Sequence, residues 1–124
     1  MLFALVLPVT LAFAASEEDE GAMNDGRCEF APPDNLAGPV LRTKTYEPPL
    51  ELTCATYTRK LVIWDNDDQE RYFGYVTPDT VCYRDGDLVG CEAIKKGDEV
   101  VTIFQRKLSA EARGLLIEVR ATSN

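Results

Sequence analysis

The residues best suited to binding chemistry are five aromatic side chains within the twenty residues from 64 to 83: Trp64, Tyr72, Phe73, Tyr75 and Tyr83. Aromatic rings offer large contact areas, and tyrosine and tryptophan add a polar edge that hydrogen-bonds a ligand. Exposed rings near Arg71 and Arg84 predict a groove for a peptide or a sugar. The alternative interpretation is that these rings fill the interior of a small β-barrel.

Catalytic chemistry has little support in the composition. The sequence contains no histidine, which excludes Ser-His and Cys-His nucleophile arrangements. Ser109 precedes Ala110-Glu111 in the manner of a helix N-cap rather than a nucleophile, and no glycine-rich phosphate loop occurs. A hydrolase that uses two carboxylates stays an open alternative, although no two acids stand out. We therefore predict a non-enzymatic chain without a cofactor.

The polar stretch DNDDQ (65–69) resembles the first half of a calcium-binding loop. Asp65, Asp67 and Gln69 have the required spacing. The sixth position, which requires glycine, is Glu70, and the twelfth, which requires glutamate, is Val76. We predict a solvated hairpin loop without metal, with a weak calcium site as the alternative.

The four cysteines form an even set: Cys28, Cys54, Cys82 and Cys91. In an exported chain such a set predicts two disulfides and an oxidising compartment. Of the three possible connectivities we favour Cys82–Cys91, which closes a predicted hairpin, together with Cys28–Cys54, which ties a proline-rich segment to the strand around Leu52. A zinc site is disfavoured because the chain has neither a C-x-x-C pair nor a histidine.

Three segments are predicted along the chain. Residues 1–15, MLFALVLPVTLAFAA, have the apolar core and the Ala12-Phe13-Ala14 cleavage pattern of a secretory signal, and they are too short to span a membrane. Residues 16–39 are acidic and then proline-rich, which predicts a disordered segment or an extended strap. Residues 40–124 are expected to form a single domain. The mature protein is therefore predicted to be secreted or periplasmic, with no membrane insertion.

The charge balance narrows the class of partner. The formal net charge is −8, and part of the acidity precedes residue 27. An acidic chain without a basic stripe is not expected to bind nucleic acid or anionic membranes.

Alternating apolar residues predict short β-strands over 40–46, 50–55, 60–64, 71–76, 80–84, 87–91, 99–104 and 115–120. Gly74 predicts a bulge or bend, and Asp85-Gly86 predicts a two-residue hairpin turn. The run EVVTIF (99–104) is apolar on both faces and is expected to be the most deeply placed strand. Residues 105–113 are the one predicted helical turn. About seven short strands indicate an all-β barrel or sandwich with disulfides.

Three motifs resemble the bacterial SH3-like (SH3b) module over residues 75–120: Tyr75-Val76-Thr77, Val81-Cys82-Tyr83-Arg84-Asp85-Gly86 and Ile94-Lys95-Lys96-Gly97-Asp98-Glu99-Val100. The resemblance implies a small, partly open β-barrel that, in secreted bacterial proteins, binds cell-wall peptides or glycans. It also implies ligand contacts at Tyr83, Arg84 and Asp85. The family's closing G-W-V strand is missing after Arg120, while RYFGYV (71–76) resembles it. One barrel and two degenerate repeats, the first over 40–77, are therefore both open.

The sequence thus predicts a secreted or periplasmic binding module for a peptide, a cell-wall glycan or a protein. Its predicted ligand contacts are Trp64, Tyr72, Tyr75, Tyr83, Arg84 and Asp85. The alternative is a secreted inhibitor or effector that docks on an enzyme or host protein, with the acidic loop 65–69 entering a basic active site.

Overall fold

The computed structural model describes residues 21–124, so the predicted signal peptide, residues 1–15, lies outside the described residues. Within residues 21–124 the chain forms six strands: β1 (Asp34–Glu51), β2 (Thr56–Asp65), β3 (Glu70–Arg84), β4 (Asp87–Val89), β5 (Glu99–Arg106) and β6 (Arg113–Thr122). A 3-10 turn, Cys91–Ala93, follows β4. Among these residues no helix has the length and apolarity needed to cross a membrane.

The strands pair in the order β2-β1-β5-β6-β3-β4, and β2 also pairs with β3. The pairings β1-β2-β3-β6-β5 therefore return to β1, and β4 extends the sheet from β3. Neighbours are antiparallel except β3 and β6, which are parallel. The last strand, β6, thus lies between β5, which directly precedes it in the chain, and β3, which does not.

The first strand is longer than the sequence pattern indicated. We expected separate strands over 40–46 and 50–55, but β1 runs from Asp34 to Glu51 and begins inside the predicted strap. Its first part pairs with β5 and its second part with β2. Pro48 and Pro49 do not end the strand, because they fall in the register shift between Thr45 and Leu50, where a missing N–H breaks no ladder hydrogen bond.

Two predicted hairpins are present. Strands β2 and β3 pair from Asp65↔Glu70 to Arg59↔Val76. The expected bulge at Gly74 is wrong, because Gly74 is regularly paired with Leu61 and Gly114. Glycine is needed there for space, since a Cβ atom would lie 2.7 Å from Leu116 Cγ.

The Asp85-Gly86 turn joins β3 to β4, with Arg84 opposite Asp87. Both turn residues have positive φ, 52° and 89°, as a type I′ turn requires. The predicted strands 71–76 and 80–84 are one strand, β3, and the residues between them form an irregularity where the pairing with β6 shifts between Val76 and Val81. There the Thr77 amide donates to Thr80 Oγ1 at 2.9 Å.

Two other expectations are wrong. Strand β5 is not apolar and buried on both faces: Val100, Thr102 and Phe104 are buried, whereas Val101 is 56% exposed. Residues 105–113 form no helical turn. They comprise the end of β5, a turn and the start of β6, because Lys107 N donates to Arg113 O and closes the connection as a hairpin.

Buried apolar side chains of residues 21–124 form two clusters. The first core lies within the circuit of strands and consists of Leu36, Val40, Leu61, Ile63, Val76, Cys82, Ile94, Val100, Phe104, Leu116, Val119 and Ala121. The second core is aromatic and consists of Met23, Tyr46, Tyr57 and Tyr75, with Phe73, Leu115 and residues of the 50–55 segment packed against it.

All four cysteines, which lie within the described residues, form disulfides, and the pairing is the one favoured from the sequence. Cys28–Cys54 joins the segment before β1 to the turn after it, beside the second core. Cys82–Cys91 joins β3 to the 3-10 turn, beside the first core. Two disulfides are consistent with an oxidising extracellular environment.

Candidate functional site

The six predicted contact residues do not form one site. Tyr75 is wholly buried in the second core, where its ring centroid lies 5.1 Å from that of Tyr57. Trp64 is half-buried near the end of β2, opposite Arg71. Tyr72 borders a cleft close to that end, whereas Tyr83, Arg84 and Asp85 lie at the far end of β3.

Arg84 and Asp85 bind other parts of the same chain. Arg84 Nε and Nη2 donate to the two carboxylate oxygens of Asp98 at 2.8 and 3.0 Å. This hydrogen-bonded pair lowers the pKa of the buried Asp98 carboxyl, which also accepts from the Lys95 amide. Asp85 accepts from the amide and hydroxyl of Ser123 at 2.9 and 2.8 Å, which lowers its pKa. Both residues therefore hold the β3–β4 turn against neighbouring segments.

Tyr83 lies instead on the outside of the sheet, in a row of directly paired residues. The row contains one residue from each of five strands: Leu88, Tyr83, Arg120, Val101 and Ala37. The Arg120 guanidinium stacks on the Tyr83 ring, 4.1 Å from its centroid. This cation–π contact attracts the two side chains to each other on the surface of the sheet. At about 4.8 Å between strands, five strands span about 19 Å.

The row is apolar on both sides of the stack. Leu88 is 71% exposed at one end, and Val101 is 56% exposed next to Arg120. A parallel row contains Val81, Glu118 and Ile103, and the Glu118 carboxylate accepts from Arg120 Nε at 2.7 Å. We call these two rows the outer face. Its apolar side chains around a tyrosine and an arginine match the composition of protein interfaces.

A cleft of about 360 Å³ lies beside Tyr72, between the start of β1 and the loop after β2. We call it the Tyr72 cleft. Its lining includes Pro33, Phe104 and Arg106, and the Tyr72 and Phe104 rings meet edge to face at 5.8 Å. The Tyr72 hydroxyl donates to Asp68 at 2.6 Å, and this hydrogen bond raises the pKa of Tyr72. The Tyr72 hydroxyl is thus already hydrogen-bonded to a residue of the adjacent loop.

The acidic loop between β2 and β3 is held by its own carboxylates. The buried Asp65 accepts from the amides of Ala37 and Asp68 at 3.1 and 2.9 Å. These hydrogen bonds occupy the Asp65 carboxylate, which would be the first ligand of a calcium-binding loop. Within residues 21–124 no group of three or more His, Cys, Asp or Glu side chains is placed to hold a metal ion.

Sequence reasoning missed a second cleft, of about 370 Å³, near the start of β2. We call it the Arg59 cleft. Arg59, Val76, Pro78 and Glu92 are among its lining residues. One signal was available: Arg59 lies two positions before Leu61 on a strand whose alternate residues face one side, so a charge continues the row of core residues.

No protein-family model matches this chain, and neither a curated protein nor a solved structure does.

Proposed function

We propose that this chain is a secreted or periplasmic, non-enzymatic module that binds a partner protein through its outer face. The observation that carries the proposal is the continuous row from Leu88 to Val101, in which exposed apolar side chains flank the Tyr83–Arg120 stack. Tyrosine and arginine beside apolar residues are typical of the residues that dominate binding energy at protein interfaces.

Charge favours one kind of partner. Glu118 and Glu99 lie on the strands of the outer face, and Arg120 is already paired with Glu118. The whole chain has a net charge of −8. The complementary surface is therefore an apolar patch bordered by lysine or arginine, since opposite potentials steer association and disfavour wrong partners.

The closed circuit of strand pairings supports interpreting the fold as a small, partly open barrel. Its SH3-like character, and with it a cell-wall peptide or glycan as ligand, stays a prediction. Except for Ala37, the residues of the outer face lie in the part of the chain that carries the resemblance, and Tyr83 is also one of the contacts that the resemblance implies. Arg84 and Asp85 support the outer face indirectly, because they hold the β3–β4 turn in place.

Site-specific photocrosslinking tests the proposal. A benzophenone amino acid at Leu88 is compared with the same group at Leu108, which is 51% exposed but lies in the β5–β6 turn, off the outer face. With secreted proteins of the source organism, we expect a discrete adduct from position 88 that is absent from position 108. Leu88→Asp should reduce capture of that protein, and Leu108→Asp should not.

Equal adducts from both positions, or none from position 88, would contradict the proposal. Retention on cell-wall polymer without a protein adduct would move the ligand to a glycan. Asp67→Lys addresses the inhibitor alternative, since Asp67 is an exposed acid of the 65–69 loop. Loss of binding in this variant, with Leu88→Asp unaffected, would place the contact on that loop.

A further inference from the structure

The Arg59 cleft lies at the opposite end of β2 from the Tyr72 cleft. It is formed where β1, β2 and β3 meet the 3-10 turn, and its walls combine apolar Val76, Val89 and Pro78 with threonine side chains. The lining of a small-molecule site is of this kind, with apolar walls and a few polar groups that fix orientation. Its volume of about 370 Å³ is that of a small ligand or of one or two residues of a peptide.

Arg59 forms no ion pair within residues 21–124. Arg59 is 8% exposed, and its Nη1 donates to the Cys91 carbonyl at 2.5 Å. Its Nε is closed to solvent and has no acceptor in the described part of the chain. Among residues 21–124 no carboxylate lies within ion-pair distance of this guanidinium. Buried charges are normally paired, because an unpaired one is costly to remove from water.

The surrounding structure fixes Arg59 in this environment. Cys91 is held by its disulfide to Cys82, so the carbonyl that accepts from Arg59 is covalently tied to β3. Thr58 Oγ1 donates to the Val76 carbonyl at 3.3 Å, and Thr80 Oγ1 donates to the Leu116 carbonyl at 2.6 Å. The cleft walls are therefore anchored to strands of the closed circuit, as a preformed site requires.

From this geometry we propose that the Arg59 cleft binds a ligand carboxylate, which places its negative charge against Arg59 and its apolar part against Val76, Val89 and Pro78. A carboxylate is favoured over a phosphate because the cleft lining contains one cation and one acid, Glu92. Arg59 and Glu92 already balance in number, so a dianion would add two unbalanced negative charges and a carboxylate only one. This site is separate from the outer face and does not depend on it.

Glu92 is the natural competitor of the ligand. It is exposed at the edge of the cleft, and its carboxylate lies so close to Gly90 that a Cβ there would be 2.3 Å from Oε2. Its charge raises the pKa of Arg59, opposing the larger lowering that burial causes. Replacing this carboxylate by an amide should therefore strengthen binding of an added carboxylate.

Side-chain NMR of the ¹⁵N-labelled protein provides the test, because the Arg59 Nε–H group reports on changes at the guanidinium. The probes are 4-methylpentanoate and its amide, and a peptide acetyl-Gly-Gly-Ala-Leu with a free or an amidated C-terminus. We expect saturable shifts of Arg59 with both free acids and none with either amide. Tighter binding of the peptide acid would identify a protein C-terminus, and tighter binding of 4-methylpentanoate a small organic acid.

Variants separate binding from folding. Arg59→Lys should weaken carboxylate binding roughly tenfold or more, whereas Arg42→Lys, an exposed arginine of β1, should not change it. Glu92→Gln should tighten binding roughly threefold. Thr45→Trp, at an exposed position of the lining, should block entry without altering the core.

Equal shifts with acids and amides would overturn the proposal. So would an unchanged Arg59 signal at saturating acid in protein whose backbone spectrum is that of the folded state. If Arg59→Lys does not fold, a Thr45→Trp variant that still binds with wild-type affinity would be equally decisive.

Discussion

The two cores of this protein are built in different ways. The first core lies within the strand circuit, and almost all of its buried members are aliphatic side chains at alternate strand positions. The second core is mostly tyrosine and includes Tyr75, which lies on the opposite face of β3 from its first-core neighbour Val76, and Met23 from the N-terminal segment. The first core depends on strand pairing, whereas the second core also requires the segment around Met23 to pack against the strands.

That segment is held by a covalent link and an ionic link, in addition to the isolated antiparallel bridge between Phe30 and Lys107. The Cys28–Cys54 disulfide links it to the turn after β1. The carboxylate of Asp25 pairs with the wholly buried Lys107, which also donates to Ser109 at 2.7 Å. A segment that joins the sheet only through an isolated bridge thus has covalent and ionic links as well, which offset the entropy lost on ordering it.

The largest expected effect comes from the first core. Leu61→Ala removes a wholly buried side chain from the middle of β2 and should lower the free energy of unfolding by about 4 kcal/mol. Met23→Ala removes an equally buried side chain of the second core, where the terminal segment can collapse, and should cost about 2 kcal/mol. Urea denaturation measures both. Equal losses would contradict the distinction between the cores.

Removing each disulfide in turn should show a further difference in stability between the two cores. By chain entropy alone, Cys28→Ser/Cys54→Ser, which opens a separation of 26 residues, should cost about 3.5 kcal/mol. Cys82→Ser/Cys91→Ser opens a separation of 9 and should cost about 2.6 kcal/mol. Hydrogen exchange should show faster exchange confined to residues 21–31 and 50–55 in the first variant. Faster exchange throughout β5 and β6 would show that the second core is not an independent unit.

Lowering the pH should test the contribution of two ion pairs, Asp25–Lys107 and Asp98–Arg84, to stability. The pKa of Asp25 is lowered chiefly by its hydrogen bond to Lys107, and that of Asp98 by its hydrogen bonds to Arg84. A lowered folded pKa gives stability that is complete above the unfolded value, about 4, and is lost as pH falls through the folded value. The free energy of unfolding of the wild type should therefore fall as the pH is lowered from about 5 to about 2. This fall should be smaller in Asp25→Asn and in Asp98→Asn, because each variant lacks one titrating carboxylate. If a variant has the same dependence of unfolding free energy on pH as the wild type, that carboxylate does not contribute to the acid sensitivity.

The smallest effect concerns two tyrosine hydroxyls. The buried Tyr57 hydroxyl has no acceptor within residues 21–124, so Tyr57→Phe should be neutral or stabilise by up to about 1 kcal/mol. Tyr72→Phe removes the hydrogen bond to Asp68, which is open to solvent, and should cost about 0.5 kcal/mol. Thermal unfolding of the pair gives the sign of each change. A clear loss from Tyr57→Phe would reveal a partner for that hydroxyl.

Local patterns predicted the local parts of this fold. Apolar runs around a polar loop indicated the β2–β3 hairpin, and Asp85-Gly86 indicated the β3–β4 turn. Helical spacing misled over residues 105–113, because the closing hydrogen bond from Lys107 to Arg113 depends on β5 and β6 pairing. Pairing between β3 and β6 leaves no local signal, since register between distant strands is set by the assembled core.

The candidate sites show the same division. Tyr83 was singled out from the sequence, but its partners Arg120 and Val101 come from strands whose register no local pattern gives. Tyr75 was singled out too, yet Met23 and Tyr57 bury it. In the sequence Arg59 is a single charge just before an apolar run. Its isolation follows from the 3-10 turn, which the Cys82–Cys91 disulfide places over it.

The central position of β6 has a consequence for how the chain matures during synthesis. This strand follows all the other strands of the described residues and supplies the ladder for both β5 and β3. A nascent chain still lacking it can form the β2–β3 hairpin but must leave one edge of β5 and one edge of β3 unpaired. Such open edges invite association with other chains. Native assembly therefore requires β6 to be synthesised, and a partner able to shield those edges would act before β6 pairs.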